Sequence, residues 1–114
     1  MKGSEKQVKW AEEIRDGKDF DAMLGHGRNA ESNQIIEKAV SYVKNNDNAS
    51  FWIDYRNSSA MNMLRGLMTE GLSIKGNQHD RLAKMAPDGI ITITWREIVQ
   101  DGKGGHYANR SKTL

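Results

Sequence analysis

Histidine next to aspartate supplies two ligand types for a divalent cation, and the chain has one such pair, His79-Asp80. A metal held there would serve phosphoester hydrolysis, but that chemistry needs further histidines and aspartates from other elements. The remaining histidines, His26 among glycines and His106 near the C-terminus, offer no i,i+4 pairing and no H-E-x-x-H. The simpler reading of His79-Asp80 is a solvated helix start. No G-x-S-x-G elbow is present, and the glycine-rich stretch at 101–106, DGKGGH, matches neither phosphate-binding fingerprint. The carboxylate pairs Glu12/Glu13 and Asp19/Asp21 suit solvated faces. No enzyme and no cofactor is expected.

Binding is the chemistry that remains. The stretch ASFWIDYRN, 49–57, gathers Trp52, Asp54, Tyr55 and Arg56, an aromatic and charged set able to dock on a protein surface or stack on bases. The competing expectation is that the stretch is core, with only its charges reaching water. A second candidate lies at the end of the chain. From Lys103 onward come Lys103, His106, Arg110 and Lys112 with no acid, a pattern suited to phosphate contact.

Composition bounds what can position these groups. A chain of 114 residues predicts one domain, and an apolar fraction of 37% predicts a thin core. There is no cysteine, which excludes disulfides, thiolate metal sites and cysteine nucleophiles. No apolar run approaches the roughly 20 residues that span a bilayer, and the basic N-terminus lacks an apolar stretch. A soluble, cytoplasmic protein without membrane partners is expected. Residues 1–57 hold nine Lys/Arg against ten Asp/Glu, and residues 58–114 eight against five, so the positive charge gathers late in the chain.

The elements follow from periodicity and caps. Ser4-Glu5-Lys6-Gln7 has the capping-box form, Val8, Trp10, Ala11 and Ile14 share a broad face, and Gly17 is a stop. Trp10 is expected as a core anchor. Ile35, Ile36, Ala39, Val40 and Val43 predict a second helix, capped by Asn29 or Ser32. Two further helices are predicted at about 49–56 and 59–70. Leu72–Lys75 suggests a short strand, NQHDRLAKM (77–85) a helix of about two turns, and Pro87-Asp88-Gly89 a turn. Ile90–Thr94 is rich in β-branched residues and predicts a strand. Thr94-Trp95-Arg96-Glu97 repeats the capping-box form and predicts a last short helix with Trp95, Ile98 and Val99 inward. The expected fold is α+β: a mostly helical single domain, 1–102, with a short two-stranded sheet element and a mobile basic tail, 103–114.

GSEKQVKWAEEIR, 3–15, followed by ASFWIDYR, 49–56, resembles a motif pair in small uncharacterised proteins of bacteriophages and mobile elements. The likeness covers about the first half of the chain. It implies an accessory protein that binds host machinery, of the anti-CRISPR or anti-defence type, with a host protein or nucleoprotein complex as partner. Mimicry of DNA by an acidic surface does not suit a chain of net charge +2. A small nucleic-acid-binding accessory protein is the alternative expectation.

Overall fold

The computed structural model describes residues 1–75 and 81–114. Four helices come first: α1 (Glu5–Asp16), α2 (Ala30–Lys44), α3 (Ala49–Asp54) and α4 (Ala60–Met68), with a 3-10 turn at Asp21–Met23. Four strands follow, β1 (Leu72–Ser73), β2 (Arg81–Met85), β3 (Ile91–Gln100) and β4 (Gly105–Thr113). They form one antiparallel sheet in the order β1-β2-β3-β4.

Each helix begins on a side-chain cap, because its first N–H groups lack partners within the helix. Ser4 and Gln7 exchange both bonds of the capping box, at 3.2 and 3.0 Å. Asn29, Asn48 and Ser59 accept from the N–H groups of Ser32, Ser50 and Asn62. Gly71 follows α4 at a φ of +89°, where a Cβ would also stand 3.1 Å from the Ala83 carbonyl oxygen. Glycine removes both costs and lets the chain turn directly into β1.

The core lies between the helices and one face of the sheet. Val40 and Val43 of α2, Phe51 and Trp52 of α3, and Met63, Leu64 and Leu67 of α4 meet Leu72, Ala83, Met85, Ile91 and Ile93 from the strands. Strand alternation puts the last four on one face, with Leu72 level with Ala83. Helix packing falls mainly on β1 and β2. Among the described residues, no helix is long and apolar enough to cross a membrane.

Several expectations are corrected here. The sheet has four strands, not two. Residues 81–85 form a strand in place of the second half of a helix: Ala83 and Met85 alternate inward with Lys84 outward, and five pairs bond the segment to β3. The capping-box form at Thr94–Glu97 starts no helix, because the Glu97 carboxylate accepts from Arg110 and from the Trp95 ring N–H instead. Residues 105–113, within the expected tail, form β4, paired with β3 from Thr92↔Thr113 to Gln100↔Gly105. Trp10 also departs from its expected place. The buried line of α1 runs through Ala11, with Val8 and Ile14 alongside, and leaves Trp10 at its margin, 46% exposed.

Candidate nucleic-acid interface

The aromatic stretch at 49–57 is core. Trp52 is 0% exposed, its ring centroid lies 5.0 and 6.0 Å from those of Phe51 and Phe20 in T-shaped contacts, and its N–H donates to the Asn46 carbonyl at 2.9 Å. A buried indole needs that acceptor, since an unpaired N–H would cost free energy. Tyr55 is half-buried beside Phe51, and its hydroxyl accepts from the Ser73 N–H at 3.0 Å, tying α3 to β1. Of the four candidate residues, only Asp54 and Arg56 are exposed. The expected Trp52–Tyr55–Arg56 docking patch is therefore not assembled. Arg56 instead donates to the Ile53 carbonyl at 2.8 Å and lies 5.7 Å over the ring of Trp10.

The basic C-terminal residues lie on β4 and in the turn before it. Register places His106, Arg110 and Lys112 on one face of β4, opposite Val99, Trp95 and Ile93. Arg110 donates to Glu97 at 2.7 Å, and His106 lies 3.2 Å from Asp101. Lys103 sits in the turn, its backbone N–H bonded to the Asp101 carboxylate at 2.9 Å. Its side chain, like that of Lys112, is exposed. The Arg110 guanidinium, helped by the Trp95 N–H, holds the Glu97 carboxyl below its ordinary value. On this face Arg81 also lies 5.5 Å over the Trp95 ring.

The opposite face of the sheet carries residues that sequence reasoning missed. Leu82, Thr94, Arg96, Asn109 and Ser111 line a shallow open depression of about 410 Å³. Arg96 lies 4.5 Å over the ring of Tyr107, which is 64% exposed next to Ile98 at 62%. Arg96 lies in a segment expected as a short helix, and Tyr107 in the expected mobile tail. The signal available was the even alternation through Thr92, Thr94 and Arg96, which only a strand turns into a single face.

β3 and β4 form a long ribbon. Pairing with β2 ends at Arg81↔Trp95, and among the described residues only β4 accompanies β3 beyond that point. His79 and Asp80 lie outside the described residues. Among the described residues, no group of three or more histidines and carboxylates is placed to hold a metal ion. Comparison of the chain with models of protein families, with curated proteins and with solved structures finds no match.

Proposed function

We propose that the protein binds nucleic acid, without catalysis, through the β3–β4 ribbon. The observation that carries this reading is the stacked Arg96–Tyr107 pair on an exposed two-stranded ribbon that also presents Lys103 and Lys112. A two-stranded β-ribbon fits the major groove of a duplex, and arginine and tyrosine planes stack on unpaired bases. Asn109, Ser111 and Thr94 beside the pair add neutral donors and acceptors for phosphate or base edges. The nucleic-acid component of a host nucleoprotein complex, the setting that the resemblance implies, is a target of this kind.

The test is a comparison of variants by fluorescence anisotropy on labelled duplex and single strands. Arg96→Ala and Tyr107→Ala should each weaken binding by about 1–3 kcal/mol, the range for a lost stacking contact. Arg56→Ala should have little effect. Protein docking around the exposed Trp10–Arg56 pair is the second reading. Silent ribbon variants, together with loss of partner binding in Arg56→Ala, would establish it instead.

A further inference from the structure

The outer edge of β4 goes beyond the nucleic-acid reading. β4 is the last strand of the sheet, and among the described residues none pairs with its outer side. Hydrogen-bonded pairs alternate along an antiparallel ladder. The bonds from the Leu114 N–H to the Ile91 carbonyl and from the Asp101 N–H to the Gly104 carbonyl fix which pairs these are. Lys112, Arg110, Ala108 and His106 accordingly direct their backbone groups toward β3. Tyr107, Asn109, Ser111 and Thr113 direct theirs outward.

Such an edge is a template for another strand, and proteins usually blunt it with proline, a bulge, a cover or charged side chains, of which β4 carries Arg110, held by Glu97, and Lys112. β4 contains no proline, and its nine pairs with β3 run without a bulge. Helix packing sits on β1 and β2, at the other side of the sheet, and leaves this edge accessible.

We infer that the edge is occupied by a second copy of this chain, paired antiparallel about a two-fold axis at Asn109. That register overlaps the whole strand and matches outward residues with outward residues: Tyr107 with Ser111, Gly105 with Thr113, and Asn109 with itself. Carboxamides are self-complementary, each offering a donor and an acceptor across the axis. Lys112 falls opposite His106 of the second copy, whose Asp101 lies 3.2 Å from that imidazole and supplies the opposing charge. Arg110 falls opposite Ala108, with its own charge held by Glu97. Shifting the register by two residues in total sets Arg110 against Arg110, which repels, or shortens the overlap. The symmetric pairing continues the sheet and keeps both helical layers on one side.

Sedimentation equilibrium of the full chain tests this. The wild type should associate to a dimer, and Asn109→Lys, which sets two ammonium groups across the axis, should raise the dimer dissociation constant about tenfold with an unchanged circular dichroism spectrum. Since the chain has no cysteine, Asn109→Cys should give a disulfide-linked dimer on mild oxidation, whereas Thr94→Cys, away from the edge, should not. A wild type that stays monomeric at submillimolar concentration overturns the inference. So does a dimer indifferent to Asn109→Lys, or one that leaves Asn109→Cys unlinked. Sedimentation of Arg96→Ala, a change on β3 away from the edge, reads the association separately: it should keep the dimer while weakening nucleic-acid binding, so the two conclusions stand or fall apart.

Discussion

Trp52 and Trp10 are the same residue type in opposite circumstances. Trp52 is enclosed by Phe20 and Phe51 and hydrogen-bonded to Asn46, so Trp52→Ala should leave a cavity and cost about 3–5 kcal/mol. Trp10 keeps much of its ring in water beneath Arg56, and its loss should cost about 1 kcal/mol or less, near the value of an exposed cation–π contact. Urea midpoints for the two variants separate these outcomes, and equal losses would mean that Trp10 is buried. Glu97 offers a second reading at this scale. Its folded pKa is depressed below 4.5 chiefly by the Arg110 bond, so the unfolded chain takes up the proton first as pH falls. The pair's contribution is complete above that ordinary value and is lost as pH falls through the lower folded one. Proton NMR of the Arg110 Nε–H through an acid titration should show a midpoint below 4.5. A midpoint at or above the ordinary value would mean that the Glu97–Arg110 pair does not persist in solution.

Among the elements, the helices were legible in the sequence and the sheet largely was not. A helix carries its signal within one short segment: Ser4 and Gln7 announce α1, and Ile36, Ala39, Val40 and Val43 mark the inner face of α2. Pairing is nonlocal. β4 has almost no apolar content, and what holds it is a backbone ladder to β3, which composition does not reveal. The misread start at Thr94 has the same origin, since Glu97 is claimed by an arginine 13 residues away. The aromatic stretch illustrates the reverse case: its core reading was available, because Phe51, Trp52 and Tyr55 exceed what a small helix can leave in water. Truncation after Gly102 therefore becomes an informative experiment. Removing β4 leaves β3 as an edge with Ile91 and Ile93 less covered, and the melting temperature should fall by about 5–10 °C, the shift expected for a loss of one to two kcal/mol. An unchanged melting temperature would mean that β4 adds nothing to stability.

At the scale of the whole molecule, shape and charge act together. The radius of gyration is 15.9 Å, against about 13 Å expected for a compact chain of this length. Principal extents of 54 × 37 × 18 Å describe a flattened, elongated body, as a long β-ribbon beside a helical layer requires. Net charge of +2 is small, so long-range attraction to nucleic acid is weak and affinity must come from contacts on the ribbon. Arg96, Lys103 and Lys112 are exposed and make no ion pair among the described residues, whereas Arg110 is engaged by Glu97. About three phosphates can thus be neutralised per chain, which sets a log–log salt slope near −3 on duplex DNA at roughly −0.9 per phosphate. Anisotropy titrations across a salt series should give that slope, with affinity in the micromolar range or weaker at physiological salt. Lys103→Ala and Lys112→Ala should each flatten the slope by about one unit, while Arg110→Ala should change it less. A slope near zero would remove the electrostatic basis of nucleic-acid binding and move attention to the Trp10–Arg56 surface. A slope much steeper than three would mean that helix-layer lysines also touch the backbone, and that the ribbon is only part of the interface.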